Sequence, residues 1–310
     1  MISLSKNYLA SIIDLSDKEI LALIKHAIES KGNGKNTQQP LKGKTLALMF
    51  EKPSTRTRLS FETAMFQLGG NTIYMNSNDL QLSRGESIED TARTISLYVD
   101  CLVARVYSHE TIIQLVQNCK IPVINGLSEL YHPCQILADL MTILEHKKSF
   151  DGLSLAWVGD GNNVCNDLLI GCAKMGINVK AAIPEGYEPP QIVLDLVTKE
   201  AKSKSSSFDI VREPIDAVKN VDVVVTDTFV SIGNEKDNDK RRSAFLPKFQ
   251  VNEKLMSNSK DDAIFMHCLP AKRGQEVTSE VIDGKKSVVW DEAENRLHVQ
   301  KSVLMGLVHG

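Results

Sequence analysis

The chain has 310 residues, 42% of them hydrophobic and 24% charged, with a formal net charge of −3. That length accommodates two ordinary domains, and the faintly acidic balance offers no footing for nucleic acid or an anionic membrane surface. No apolar run approaches the ~20 residues that cross a bilayer, and the start lacks a basic segment followed by an apolar core, so a cytoplasmic protein is expected.

A polar stretch at 31–40 reads as a loop between an N-terminal helix and the first strand. Strands at 44–50, 71–75, 101–106 and 121–125 then alternate with helices near 57–69, 86–99 and 109–118. In the helix at 86–99, Ile88, Ala92, Ile95 and Val99 share one stripe. Glu86, Glu89 and Asp90 occupy its first turn, where negative charge is favoured. After a helix near 134–147 the alternation restarts, with strands near 153–158, 178–183, 208–211, 222–226, 263–267 and 287–290. A last helix covers 292–308. Such alternation implies parallel sheets with helices on both faces. The expected fold is α/β: two doubly wound parallel-sheet domains with an active-site cleft between them. Residues 1–134, joined by the C-terminal helix 292–310, would form one domain and 135–291 the other. Ligands in such folds bind beyond the carboxyl ends of strands.

The most informative strand exit is the first. The apolar run Thr45–Phe50 ends in Glu51-Lys52-Pro53-Ser54-Thr55-Arg56-Thr57-Arg58, and a helical pattern follows at once. A helix N-terminus carries unpaired N–H groups and about half a positive charge, so anions collect there. Hydroxyls from Ser54, Thr55 and Thr57 and the planar fork of Arg56 would add donors suited to phosphate oxygens. Ordinary capping accounts for Ser54 alone. Cations in a first turn cost about 0.3–1 kcal/mol each unless an anion offsets them, which leaves Arg56 and Arg58 unexplained by capping.

Each later strand exit carries polar chemistry. Arg105 ends the apolar strand Cys101–Val106, where it would reach either an internal carboxylate or a substrate oxygen. After 121–125, His132-Pro133-Cys134-Gln135 opens a helix. An imidazole and an amide there suit the carbonyl and amino group of a small substrate, while Asp139, one turn on, would orient Gln135 or face solvent. Gly159-Asp160-Gly161-Asn162-Asn163-Val164 imitates a dinucleotide-binding turn. Val164 stands where the third glycine belongs, however, and no acidic residue closes the next strand before Pro184. The two asparagines would instead bind a carboxylate or an amine. Asp227, ahead of Ser231 and Gly233, would hold an ammonium group on a closing loop. In His267-Cys268-Leu269-Pro270 the cysteine is either core or, beside a histidine and a bound ammonium, a partner in proton sharing. Arg296, opening the terminal helix, is an interdomain ion pair or a substrate contact. The six cysteines show no metal-ligand or redox spacing.

Taken in order, these segments resemble the aspartate/ornithine carbamoyltransferase family over nearly the whole chain. Ser54-Thr55-Arg56-Thr57-Arg58 and His132-Pro133-x-Gln135 resemble its carbamoyl phosphate-binding half. His267-Cys268-Leu269-Pro270 and the loop Asp227–Gly233 resemble the ornithine-using branch. The resemblance implies transfer of a carbamoyl group from carbamoyl phosphate to the δ-amine of ornithine, without metal or organic cofactor. It implies that Ser54, Thr55, Arg56 and Thr57 hold the phosphate and that Arg105, His132 and Gln135 hold the carbamoyl end. Cys268, Leu269 and Arg296 would complete the carbamoyl phosphate contacts, with Arg105, His132 and Cys268 in catalytic roles. Gln81 would reach a neighbouring subunit's site in a homotrimer, and Asn163, Asp227, Ser231 and Ile232 would bind ornithine. Phe229 and Ile232 stand where the family usually has Trp and Met, and Ser83 where it usually has Gly.

Overall fold

The computed structural model describes residues 2–32, 39–229 and 238–309. These divide into two compact units, Met1–Met141 with Glu294–Gly310, and Thr142–Ala293.

The first unit runs β1 (Tyr8–Leu9), α1 (Asp17–Gly32), β2 (Thr45–Phe50), α2 (Thr55–Gln67), β3 (Asn71–Asn76) and α3 (Ile88–Ile95). It continues through β4 (Cys101–Arg105), α4 (His109–Asn118), β5 (Val123–Leu127) and α5 (Pro133–Lys147). Its sheet has the order β1-β5-β4-β2-β3, with every pairing parallel. β2 and β4 are central strands, and Ala47, Met49, Leu102 and Ala104 from them join Ala92, Ile112 and Leu115 from α3 and α4 in one core. Burial on both faces explains their unbroken apolar composition.

The second unit runs β6 (Ser154–Val158), α6 (Asn163–Lys174), β7 (Asn178–Ala182), α7 (Gln191–Lys204), β8 (Phe208–Val211) and α8 (Pro214–Val218). Then come β9 (Val223–Val225), α9 (Asn238–Phe245), α10 (Glu253–Met256), β10 (Ile264–Met266) and α11 (Ser279–Ile282), and α12 (Val289–Val308) starts here and belongs to the first unit from Glu294 on. The sheet order is β10-β9-β6-β7-β8, again all parallel. Ala156, Val158, Val224 and Phe265 pack there with Phe229, Phe245, Phe249 and Val281. Both sheets are thus parallel and flanked by helices, as expected of the α/β class.

Three expectations change. β1 was not anticipated, because two residues paired with Val123 and Ile124 of β5 are too short to show a period. The strand expected at 287–290 is absent: Ser287 makes a single bridge to Phe265, and α12 begins at Val289. Valines favour a strand there, but Asp291 and Glu292 supply the acidic first turn of a helix. The helix expected at 86–99 stops at Ile95, although Val99 still packs against the core that Ala92 and Ile95 enter. Among the described residues, no helix is long and apolar enough to cross a membrane.

Candidate active site

The exit of β2 delivers Ser54 as N-cap of α2, its hydroxyl accepting the Thr57 N–H at 3.2 Å. No acidic residue lies in that first turn. Thr57 is buried, Arg56 half-buried and Thr55 exposed. Arg58 differs from the expectation that it needs an anion. Its guanidinium lies 3.8 Å from the Tyr74 ring centroid and pairs with Glu62 at 2.9 Å.

From the other end of the chain α12 brings Arg296, 3% exposed, into the same unit. It donates to Thr57 Oγ1 at 3.0 Å, to His132 Nε2 at 3.3 Å and to Gln135 Oε1. Gln135 is fixed in turn, donating to Asp139 Oδ1 at 2.8 Å from one helical turn away. Of the two readings of Asp139, orientation of Gln135 is therefore the correct one. The three acceptors of Arg296 are neutral groups of the same unit.

His132 takes a definite protonation state in this setting. Burial and the nearby cations Arg296, Arg105 and Lys52 hold its pKa well below the ordinary imidazole value. With Nε2 accepting from Arg296, its proton resides on Nδ1. Arg105 is the last residue of β4, 7% exposed, and its peptide oxygen accepts the Glu51 N–H at 2.8 Å. Lys52 escaped sequence reasoning. It is buried, with its ammonium 4.7 Å from the Tyr107 ring centroid. A lysine wedged between an apolar strand and a Pro-Ser-Thr turn was the available clue. Lys52, Arg105 and Arg296 all act on His132, close to a helix N-terminus that carries Arg56 and the hydroxyls, an arrangement suited to an anion.

Gln81 lies exposed on a 3-10 turn, Gln81–Arg84, where the Ser83 hydroxyl donates to the Leu80 carbonyl at 2.7 Å.

The second unit gathers opposite charge. Gly159 has φ 148°, and a Cβ on Gly161 would lie 2.4 Å from the Pro189 nitrogen. The Gly161 N–H donates to the Tyr187 carbonyl at 2.8 Å. Gly159 serves a left-handed φ and Gly161 a close backbone contact within the unit, which is why the segment imitates a dinucleotide turn. Asn162 caps α6 by accepting the Val164 and Cys165 N–H groups, both at 3.0 Å. Its amide nitrogen donates to Asp227 Oδ2 at 2.8 Å. Asn163 is the first residue of α6 and half-buried.

Asp227 Oδ1 accepts from the Cys268 thiol at 3.3 Å. His267 holds the turn behind that thiol. Its Nδ1 accepts the Leu269 N–H at 2.9 Å, and its Nε2 faces Glu276 Oε1 at 3.2 Å, so the proton sits on Nε2. Leu269 has φ 58°, a left-handed conformation uncommon outside glycine and asparagine. Ligand atoms of Asp227, His267 and Cys268 lie within 4.8 Å of one another, a spacing a metal ion could use. Here those atoms are engaged in the hydrogen bonds just described. A carboxylate, an amide and a thiol converging at strand ends suit an ammonium group. Ser231 and Ile232 lie outside the described residues. Phe229 is buried and stacked on Phe245, with ring centroids 4.6 Å apart.

Two doubly wound parallel units, one collecting cations at a helix N-terminus and one collecting carboxylates, define a class that handles an anion and an amine. Residues 7–145 match the family described as aspartate/ornithine carbamoyltransferase, carbamoyl-P binding domain, and residues 151–307 its Asp/Orn binding domain. The chain belongs to the aspartate/ornithine carbamoyltransferase family. It is 55% identical over 294 residues to an ornithine carbamoyltransferase of Cenarchaeum symbiosum, covering 95% of each chain. It is 53% identical to the ornithine carbamoyltransferase of Pyrococcus furiosus named as anabolic, covering 87% of this chain and 85% of that one. The solved structure of ornithine carbamoyltransferase from Pyrococcus furiosus superposes with a TM-score of 0.96 at 48% identity, over 100% of this chain and 99% of that one.

Proposed function

We propose that this protein transfers the carbamoyl group of carbamoyl phosphate to the δ-amine of L-ornithine, giving L-citrulline and phosphate. The observation that carries the reading is Arg296. One buried guanidinium contacts Thr57, His132 and Gln135 beside the N-terminus of α2. Ser54, Thr55, Arg56 and Thr57 hold the phosphate. Arg105, His132 and Gln135 hold the carbamoyl end, with Gln81, Cys268, Leu269 and Arg296 as further contacts. Asn163, Asp227, Ser231 and Ile232 bind ornithine. The anabolic name of the Pyrococcus furiosus relative supports synthesis of citrulline, toward arginine, as the working direction.

An alkylamine has a pKa near ~10.4, so presenting it uncharged at pH 7 costs about 4.6 kcal/mol at ~1.36 kcal/mol per pK unit. Asp227 recognises the ammonium form, and the Asp227–Cys268 pair takes up the proton as the amine nitrogen attacks the carbamoyl carbon. Negative charge then grows on the carbamoyl oxygen. Arg105, Thr57 and the Nδ1–H of neutral His132 stabilise it by donors already in place. The C–O bond to phosphate breaks as the second proton of the attacking nitrogen passes to the leaving oxygen, and the hydrogen phosphate dianion remains in the Ser54–Thr57 cradle.

The protein works in the cytoplasm as a homotrimer in which Gln81 serves a neighbouring subunit. Supporting self-association, the first unit exposes Phe66, Leu59 and Ile73. Light scattering behind a sizing column is expected to return three times the 34.3 kDa chain mass. A citrulline assay with carbamoyl phosphate and ornithine, run beside aspartate, putrescine and acetylornithine, tests the reaction. Ornithine is expected to dominate, and preference for another acceptor would overturn the substrate assignment.

A further inference from the structure

Arg241, on α9, pairs with the buried Asp160. Its Nη1 donates to Asp160 Oδ2 at 2.6 Å and to the Phe229 carbonyl at 3.0 Å, and its guanidinium lies 5.1 Å from the Tyr187 ring centroid. Asp160 is two residues before Asn162, and Asn162 donates to Asp227. Asp227 is two residues before Phe229. The contacts therefore close on themselves: Arg241 to Asp160, along the turn to Asn162, across to Asp227, and along the chain to the carbonyl that Arg241 holds. We propose that Arg241 and Asp160 are positioning residues that set the Asp227 carboxylate by tying the turn after β6 to the turn after β9.

Several observations favour this over simple packing. These contacts join both turns through Asp227 from either side, and the other oxygen of that carboxylate accepts from the Cys268 thiol. The groups facing Asp160 are Arg241 from α9, Asp227 from the turn after β9 and the Cys165 thiol from α6. Burial, aided by the Asp227 carboxylate, lifts Asp160 to about 6 against the pull of Arg241. The chain keeps a carboxylate where burial penalises it, as functional sites and structural ion pairs both do. The peptide oxygen of Asp160 separately accepts the Trp157 indole N–H at 3.1 Å, so a neutral side chain there leaves that packing contact intact.

The proposal rests on reading Asp227 as the ammonium-binding group, and two readouts separate the ideas. Arg241→Ala, Arg241→Lys, Asp160→Asn and the double variant D160N/R241A are compared in the intact protein, each checked for folding by circular dichroism. The first readout needs no turnover: alkylation of Cys268 by iodoacetamide, followed by peptide mass spectrometry. A displaced Asp227 no longer opposes the thiolate, so R241A and D160N are expected to speed alkylation severalfold. The second is a KM and kcat split. R241A is expected to raise KM for ornithine tenfold or more with KM for carbamoyl phosphate within twofold, and R241K to recover part of that loss. The double variant is expected to be no worse than R241A, since both residues act through one contact. An unchanged Cys268 rate in the folded variants, strictly additive losses, or equal rises in both KM values would overturn the proposal. If the wild-type protein makes no citrulline, the ornithine reading fails while the thiol rates still decide this one; if R241A does not fold, D160N and R241K carry the test.

Discussion

The turns from β2 into α2 and from β6 into α6 start alike. Each follows a buried strand of a parallel sheet and opens a helix at a polar cap, Ser54 in one and Asn162 in the other. Each helix end contributes the same partial positive charge. What surrounds the two ends is opposite. Near α2 stand Arg56, Arg105, Lys52 and Arg296, and no acidic residue enters its first turn. Near α6 stand Asp160 and Asp227, and Asn162 covers two first-turn N–H groups where Ser54 covers one. The comparison teaches that a helix N-terminus does not choose its ligand. The cap decides how many donors remain, and neighbouring side chains decide which charge is welcome.

The largest test of that division is Arg296→Met, which removes a buried cation and donors to three neutral partners. Removing a single preorganised donor of this kind costs about 10²–10³ in rate. Here kcat/KM for carbamoyl phosphate is expected to fall by about 10³ in steady-state assays, with ornithine KM changing far less. Equal losses for both substrates would erase the distinction between the two helix ends.

Asp227→Asn probes the other end. It keeps the shape that Asn162 and Cys268 contact but removes the charge an ammonium needs. A charged hydrogen bond of this sort is worth about 1.5–3 kcal/mol, or roughly 10–100-fold. Ornithine KM is expected to rise by that factor while the protection that carbamoyl phosphate gives against thermal unfolding stays as in the wild type. Loss of that protection would place Asp227 on the anion side.

The cation cluster also makes a pH prediction of known sign. A histidine whose folded pKa lies below its free value binds its proton preferentially in the unfolded chain. The contribution of His132 to stability is therefore complete above its free value near 6.5 and shrinks as the pH falls below that. His26, His109 and His298 are depressed by burial in the same direction, so one substitution flattens the curve only in part. Denaturant titrations between about pH 7 and 5 are expected to show His132→Asn losing less stability on acidification than the wild type. An unchanged slope would mean that His132 takes up its second proton over the same pH range in the folded and unfolded chain.

Much of this arrangement was legible in sequence order because each contact is local or lies at a strand exit. Ser54 capping α2, Pro133 opening α5 and Asp139 one turn from Gln135 are short-range relations, and the structure contains all three. The alternation of strands and helices revealed both sheets, since buried parallel strands are continuous apolar runs. Hidden from sequence were relations across long separations. Arg296 meeting Thr57 joins residues 239 apart, and Arg241 meeting Asp160 joins residues 81 apart. Arg58 misled because its partners, Glu62 and the Tyr74 ring, offset the very charge that argued for an anion. The glycines at 159 and 161 misled for a similar reason: the positive φ of Gly159 and the close backbone approach at Gly161 demand the absence of a Cβ just as a phosphate does.

The smallest effect returns to the caps themselves. Ser54→Ala removes one acceptor, for the Thr57 N–H, and a lost cap of this kind costs about 1 kcal/mol. In units of this size that lowers the melting temperature by roughly 2–4 °C. Asn162→Ala removes the acceptor for two N–H groups and also the donor to Asp227 Oδ2, so its melting temperature is expected to fall further. The kinetic consequences diverge with the surrounding charge. Ser54→Ala is expected to raise KM for carbamoyl phosphate severalfold, because the hydroxyl leaves the phosphate cradle, and Asn162→Ala to raise KM for ornithine, because Asp227 loses its anchor. Calorimetry and steady-state kinetics on the two variants side by side separate these outcomes. If both caps altered the same KM, the charge around each helix end would not be what selects its ligand.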